Sequence, residues 1–145
     1  MRRSEELRVK SSWQSQAAKP SEELRVVAAH NELGKWGEEL AAEFVEKQGY
    51  EILERDWKSG HHDLDIIAKD GGSLVIIEVK TRRNRLFGSP EEAIDYKKRL
   101  SLLSAINHYV KSHHVKSPVR FDVISIVGTI GSTPEIDHIK DVTLN

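Results

Sequence analysis

Hydrophobic and polar positions along the chain predict helices on either side of a run of strands. Small or apolar residues recur at helical spacing from Leu33 to Val45, and Asn31 before them is a residue type that favours a helix N-cap. Gly49 ends this helix. Three strands follow, with Asp70-Gly71-Gly72 as a hairpin signal between the last two; they are predicted over Tyr50 to Trp57, Asp63 to Ala68 and Leu74 to Thr81.

The second half of the chain predicts one more helix and two more strands. Ser89-Pro90-Glu91-Glu92 combines an N-cap, a proline suited to the first helical position and a capping-box glutamate. The helix should run to about Lys111. A strand is predicted over Val119 to Val127 and a weaker one within Glu135 to Leu144. This order predicts an α/β fold, a mixed sheet with at least one helix packed on it.

Residues 1–29 differ from the rest of the chain. They are polar, lack sustained periodicity and contain one repeated hexapeptide, Ser4 to Val9 and Ser21 to Val26. A single echo does not make a repeat protein. We therefore expect a flexible N-terminal extension over residues 1–29 and a folded domain over residues 30–145.

Length and composition limit the class of protein. The chain has 145 residues, of which 31% are charged and 38% hydrophobic, and it has no cysteine. These values are typical of one soluble globular domain and exclude disulfides, thiolate zinc sites and thiol catalysis. The N-terminus lacks the apolar run of a signal peptide, and no stretch approaches the roughly 20 apolar residues of a membrane span. We expect a cytoplasmic protein without membrane association.

Charge is unevenly distributed although the net charge is only −1. Residues 79–120 contain ten basic and three acidic residues, a local balance of +7. Such a segment is typical of a surface that binds a polyanion, although a solvated helix face gives similar counts. The candidate phosphate contacts lie in the loop after the third strand and at the start of the next helix: Arg82, Arg83, Arg85, Lys97 and Lys98.

Three charged residues interrupt otherwise apolar strands. If Gly71-Gly72 is a two-residue hairpin loop, Asp65 lies directly opposite Glu78, with Cβ atoms about 5 Å apart. Lys80 then shares a face with Glu78, since residues two apart point the same way. If the turn instead centres on Asp70-Gly71, Asp63 faces Glu78. Either pairing brings two acids and one amine together.

Two carboxylates this close repel each other, so they need a proton, a cationic partner or a divalent metal. Mg²⁺, or Mn²⁺, suits hard oxygen ligands and can complete its coordination with water and substrate phosphate. With a lysine nearby, this chemistry indicates phosphodiester hydrolysis. The alternative is an ordinary surface ion pair of little energetic consequence. The pairs His61-His62 and His113-His114 lack the spacing of zinc-enzyme motifs.

Several short motifs in order resemble the YraN-type bacterial proteins, which belong to the restriction-endonuclease-like superfamily with the PD-(D/E)xK motif and are similar to archaeal Holliday-junction resolvases. The matching motifs are Gly37-Glu38, Gly49-Tyr50, Asp63 to Ala68, Ile77 to Arg82, Phe87-Gly88 and Arg120 to Val123. The resemblance covers about Asn31 to Leu144. It implies a mixed central β-sheet flanked by α-helices. The family usually has Gly-Glu where this chain has His62-Asp63.

Roles for individual residues follow from the resemblance. It implies that Asp65 and Glu78 bind a divalent metal, that Lys80 assists the attacking water and that Glu38 points from the first helix toward the same site. Gly34 and Gly37 beside it would let a strand or a phosphate backbone approach closely.

Three functions are consistent with these observations. The leading hypothesis is a metal-dependent DNA endonuclease, with branched or damaged DNA as the substrate class implied by the resolvases. The second is a nucleic-acid-binding adaptor that uses the basic residues without chemistry, since a fold does not guarantee an activity. The third is a protein-interaction module. The related resolvases are dimers, which leaves a homodimer open for this chain.

Overall fold

The structure, a computed structural model, describes residue 19 and residues 21–60, 62–86 and 96–144. In these residues a five-stranded sheet in the order β1-β2-β3-β4-β5 carries two helices. All neighbouring strands are antiparallel except β3 and β4, which are parallel. The elements are α1 (Glu22–Lys47), β1 (Glu51–Lys58), β2 (Asp63–Asp70), β3 (Ser73–Arg82), α2 (Tyr96–Ser112), β4 (Val119–Val127) and β5 (Glu135–Ile139).

Contacts divide the chain into two units, Met1–Asn31 and Glu32–Asn145. In the first unit the chain is helical from Glu22. The Ser21 side chain caps this helix, because its Oγ accepts a hydrogen bond from the backbone N–H of Leu24 at 3.2 Å. The predicted N-cap at Asn31 is therefore wrong by ten residues. The second copy of the hexapeptide supplies the cap and first turn, and the first copy lies outside the described residues.

Hydrophobic residues of the second unit form two clusters, one on each face of the sheet. One cluster is covered by α2 and contains Leu64, Ile67, Leu74, Ile76, Leu102, Ala105, Ile106, Tyr109, Phe121 and Val123. The other is covered by α1 and contains Ala41, Ala42, Val45, Tyr50, Ile66, Ala68, Val75, Ile77, Ile124 and Ile126. Full burial of each Leu or Ile stabilises the fold by roughly 1.5–3 kcal/mol.

The β2–β3 hairpin has the two-residue loop that the glycines predict. Asp70 pairs with Ser73 and Ile66 with Ile77, so the register with Gly71-Gly72 as the loop is confirmed. Gly71 has φ 58°, a positive value at the first loop residue, as a type II′ turn requires.

The parallel pair β3–β4 requires a crossover connection, and α2 lies within it. The described part of this helix begins at Tyr96. The predicted helix start at Ser89 to Glu92 and the Phe87-Gly88 motif lie outside the described residues. The α/β prediction is confirmed, and the mixed sheet with a helix on each face is consistent with a restriction-endonuclease-like fold.

A buried ion cluster fixes the start of β4. Asp122 is fully buried, and both its oxygens accept hydrogen bonds from Arg120 at 2.9 Å. His138 of β5 lies 2.8 Å from the same carboxylate. Arg120 also donates to Asp70 and to the Tyr50 hydroxyl. Arg120, although part of the basic segment, therefore stabilises the fold by joining β4 to its neighbours.

No described helix is both long enough and apolar enough to cross a membrane.

Candidate active site

Helix α1 approaches β3 closely at Gly37. A Cβ atom placed on Gly37 would lie 1.8 Å from Thr81 Oγ1, whereas one on Gly34 would meet nothing within 4 Å. The predicted close approach of a strand is thus confirmed for Gly37 alone. Because Glu38 follows Gly37 and Lys80 precedes Thr81, this contact brings the two charged residues to the same end of the sheet.

Strand β2 changes its alternation at Asp65. Leu64 packs in the cluster under α2 and Ile66 in the cluster under α1, although residues two apart normally share a face. The neighbouring strand is also irregular there, since Asp56 has φ 50°.

The β2–β3 ladder ends at this irregularity. Its last pair is Ile66 with Ile77, so the register prediction holds but the predicted direct pairing of Asp65 with Glu78 is wrong. Asp65 Oδ2 instead accepts a hydrogen bond from the backbone N–H of Val79 at 2.9 Å. β2 and β3 no longer pair beyond this point, and the Asp65 side chain replaces a backbone carbonyl as the hydrogen-bond acceptor.

Glu78 lies between a lysine and a histidine. Lys80 Nζ is 3.5 Å from its Oε1, and His62 Nε2 is 3.5 Å from its Oε2. The exposed fractions of these side chains are 10% for Glu78 and 16% for each partner. Weak solvent screening at this depth strengthens the interactions among these charges.

The electrostatics show that three acids share this region. Burial and the charge of Glu78 raise the pKa of Asp65 to about 7, with Glu38 acting in the same direction and Lys80 opposing it. Burial, Asp56 and Glu78 also raise the pKa of Glu38. The structure therefore brings together all four residues proposed for catalysis: Glu38, Asp65, Glu78 and Lys80.

The alternative pairing, in which Asp63 faces Glu78, is excluded by the register. Asp63 pairs with Lys58 of the edge strand β1, and its carboxylate lies 2.8 Å from the Lys58 amine.

His62 is the site residue that sequence reasoning missed. Its hydrogen bond to Glu78 raises its pKa, with burial opposing that effect. Ser59 holds the segment through hydrogen bonds to the His62 backbone. Zinc-motif spacing gave no reason to select this residue. The available signal was its position immediately before the strand that carries Asp65, at the end of the sheet where the acids meet.

The residues present fit a divalent metal at Asp65 and Glu78. Asp65 and Glu78 are poorly solvated carboxylates whose negative charges repel each other. A hard cation bound by both would remove that repulsion. Among the described residues no group of three or more His, Cys, Asp or Glu side chains could enclose an ion. If Asp65 and Glu78 held the ion, water and substrate phosphate would complete its coordination, which is how Mg²⁺ is commonly held.

The basic residues predicted to bind nucleic acid differ in their surroundings. Arg85 forms ion pairs with Glu135 and Asp137 of β5, the second at 3.3 Å, so two carboxylates balance its charge. Arg83 is exposed in the loop after β3. Lys98, on the first described turn of α2, is close enough to lower the pKa of His62. Arg82 and Lys97, the other two residues predicted to bind nucleic acid, directly precede Arg83 and Lys98 in the chain.

Comparison with known proteins identifies similar chains without assigning an activity. Residues 37–126 match a family model described as uncharacterised protein family UPF0102. A UPF0102 protein of Bacteroides thetaiotaomicron is 48% identical over 115 residues, covering 79% of this chain and 94% of the relative. UPF0102 proteins of Christiangramia forsetii and Porphyromonas gingivalis are 44% and 43% identical, covering 79% and 77% of this chain and 96% and 84% of the relatives.

Proposed function

Because the chain belongs to the uncharacterised protein family UPF0102, its function must be inferred from its site, and we propose that it is a divalent-metal-dependent DNA endonuclease. The observation that carries the proposal is the convergence of Asp65, Glu78 and Lys80 where β2 and β3 separate. It agrees with the resemblance to YraN-type proteins. A structural ion pair would not need a second, partly buried carboxylate beside Glu78.

Each side chain has a distinct role in the proposed reaction. Asp65 and Glu78 would hold the metal. The chemistry supplied by a divalent cation there is that of a Lewis acid, which polarises a phosphoryl oxygen and lowers the pKa of water. Lys80, released from Glu78, would orient the attacking water and stabilise negative charge developing on the phosphate. Glu38 would accept a hydrogen bond from water on the side of α1.

DNA is the proposed substrate because the acids lie beside basic residues. Lys98 approaches His62 at the site; Arg82 ends the strand that carries Lys80, and Arg83 follows it. Such contacts to phosphates provide affinity with little base preference. Recognition would then depend on the shape of the DNA, as expected for a branched or damaged substrate.

The test is cleavage of labelled four-way junction, flapped and linear duplex DNA with Mg²⁺ or Mn²⁺. We expect a metal-dependent product from the wild type and a loss of at least about a hundredfold in rate for Asp65→Asn and Glu78→Gln, as is typical for removal of electrostatic catalytic groups. Asp63→Asn is the matched control, because it changes an exposed carboxylate of the same strand.

The adaptor hypothesis gives a different result in the same experiment. If DNA binds with equal affinity to the wild type and Asp65→Asn, and no substrate is cleaved with either metal, the endonuclease proposal fails. Absence of salt-sensitive DNA binding would reject both hypotheses and favour a protein-interaction module.

A further inference from the structure

A cavity of about 400 Å³ lies at the opposite end of β2 and β3 from the acids. It is bounded by the β2–β3 hairpin loop and by the segment that follows α2. Ser73 in its wall and Glu78 in the candidate active site are five residues apart on β3, or about 17 Å at the usual rise of a strand. The cavity is therefore separate from the site described above.

The floor of the cavity is apolar and one wall is aromatic. Leu53, Leu74 and Val115 form the floor. The rings of Tyr109 and His113 stack with centroids 4.0 Å apart and planes inclined by 18°. A flat, uncharged group would lose little by leaving water here, since apolar and aromatic side chains would surround it.

The rim of the cavity has the opposite character. Lys69 and Lys116 line it together with the hydroxyls of Ser73 and Ser117 and the hairpin residue Gly72. No carboxylate is among the lining residues. Glu54 lies behind the wall, with Oε2 3.9 Å from His113 Nε2. Glu51 is the cross-strand partner of Lys69 but is not among the lining residues. Two amines and no acid in the lining favour an anionic group on the ligand.

We propose that this cavity binds a nucleotide. A nucleotide combines the features that the lining matches: a phosphate for Lys69 and Lys116, hydroxyl groups for the two serines and a flat base for the apolar floor. The volume lies within the usual range for small-molecule sites, roughly 300–1,000 Å³. The ligand is either a free mononucleotide or the phosphorylated end of a nucleic-acid strand, since both present the same chemistry.

Binding can be tested by calorimetry and by backbone NMR shifts on the full chain. The probes are deoxyadenosine 5′-monophosphate and a short oligonucleotide with and without a 5′-phosphate. We expect shifts in residues 71–73 and 113–117, and at least about tenfold weaker binding in the Lys69→Gln/Lys116→Gln variant, equivalent to one lost charge-assisted contact. Lys111→Gln is the control, because Lys111 is an exposed lysine near the end of α2, close to Lys116 in the chain, and does not line the cavity.

A second variant tests the cavity without changing its charge. Ser117→Trp replaces an exposed rim residue by one large enough to block the opening, and it should abolish binding without unfolding the protein. Binding of the phosphorylated oligonucleotide alone would identify a strand end as the ligand, and binding of the mononucleotide would identify a free nucleotide. The proposal is overturned if neither probe binds at concentrations of about 5 mM, or if the Lys69→Gln/Lys116→Gln variant binds as well as the wild type.

This inference is independent of the endonuclease proposal. Asp65→Asn should leave nucleotide binding unchanged, because Asp65 does not line the cavity. Nucleotide binding without DNA cleavage would reject only the proposed endonuclease activity. DNA cleavage without nucleotide binding would reject only the proposed nucleotide site in the cavity.

Discussion

The carboxylate of Asp65 accepts a hydrogen bond from the backbone N–H of Val79 at 2.9 Å, just beyond the last β2–β3 pair, Ile66 with Ile77. A side chain thus occupies the place of a cross-strand carbonyl. The contact holds Asp65 beside the strand that carries Glu78 and Lys80, in a position with little access to solvent. This position disfavours the ionised form of the Asp65 carboxylate.

Because the ionised form of Asp65 is disfavoured, we predict that Asp65→Asn stabilises the metal-free protein. Asparagine keeps an acceptor for Val79 but carries no charge. In the folded state the pKa of Asp65 is raised to about 7, so the folded protein binds more protons than the unfolded chain between about pH 4 and pH 7. Stability therefore falls as the pH rises through this window.

The expected gain for Asp65→Asn is on the order of a few kcal/mol at about pH 8 in a chelator and close to zero near pH 4. Urea unfolding at both pH values measures it. Asp63→Asn should show no such gain, because Asp63 is exposed and paired with Lys58. Equal unfolding free energies for Asp65→Asn and wild type at the higher pH would contradict the prediction.

Metal binding should weaken in acid. A proton and a divalent cation compete for Asp65, so the affinity for Mn²⁺ should fall by up to about tenfold for each pH unit below 7 and level off above about pH 8. Calorimetric titrations at about pH 6, 7 and 8 check this. An affinity independent of pH over that range would show that Asp65 is not a ligand.

Removing the buried charge of Asp122 should destabilise the fold. Asp122→Asn removes the buried one of the two carboxylates paired with Arg120 and leaves only the more exposed Asp70; the loss of a buried partner typically amounts to roughly 3–5 kcal/mol. Asp137→Asn is the control, because its ion pair with Arg85 is exposed and should contribute less than about 1 kcal/mol. Denaturant unfolding measures the loss of unfolding free energy in each variant. Equal losses would show that the buried charge of Asp122 does not stabilise the fold.

The same cluster predicts a component of acid unfolding. Burial acts to raise the pKa of Asp122, but hydrogen bonds from His138 and Arg120 outweigh it and lower the pKa to about 2. Because the folded-state pKa is depressed, this stabilisation is present above about pH 4 and is lost as the pH falls toward 2. Asp122→Asn should therefore flatten the acid limb of the stability curve relative to wild type.

Gly37 and Gly34 should respond oppositely to alanine. Gly37→Ala would drive a methyl group into Thr81, separating α1 from β3 at a cost of roughly 1–3 kcal/mol. Gly34→Ala meets open space and should stabilise the helix by up to about 1 kcal/mol. Thermal unfolding compares them. Removing the Thr81 hydroxyl and methyl groups with Thr81→Ala should partly rescue Gly37→Ala, and no rescue would place the defect elsewhere.

Phosphate contacts should appear in the salt dependence of DNA binding. Arg83→Ala is expected to reduce the slope of log affinity against log salt by about 1, because one fewer phosphate is neutralised. Lys47→Ala, at the exposed end of α1, should leave the slope unchanged. Fluorescence anisotropy across a salt series measures both. Identical slopes for wild type and Arg83→Ala would remove Arg83 from the DNA contacts.

Local pattern predicted much of this protein. The glycine pair at the hairpin loop left two registers of β2 and β3, one with Asp65 and one with Asp63 facing Glu78, because a two-residue loop can centre on Gly71-Gly72 or on Asp70-Gly71. The structure has the first register, although its ladder ends at Ile66 and Ile77. The order of helices and strands was sufficient for the α/β class. The start of α1 was misplaced, since the serine cap at Ser21 was hidden in a polar segment, and the predicted start of α2 lies outside the described residues.

Tertiary structure decided the details of the site. Spacing in β2 gave no sign of the irregularity at Asp65, which arises beside Asp56 on the neighbouring strand. The contact between Gly37 and Thr81, and the placement of His62 against Glu78, join residues far apart in the chain. The sequence by itself determined which chemical groups are present and which strand carries them, because strand period and turn length act locally. Packing of α1 and α2 on the two faces of the sheet decided which groups meet and how poorly water screens their charges.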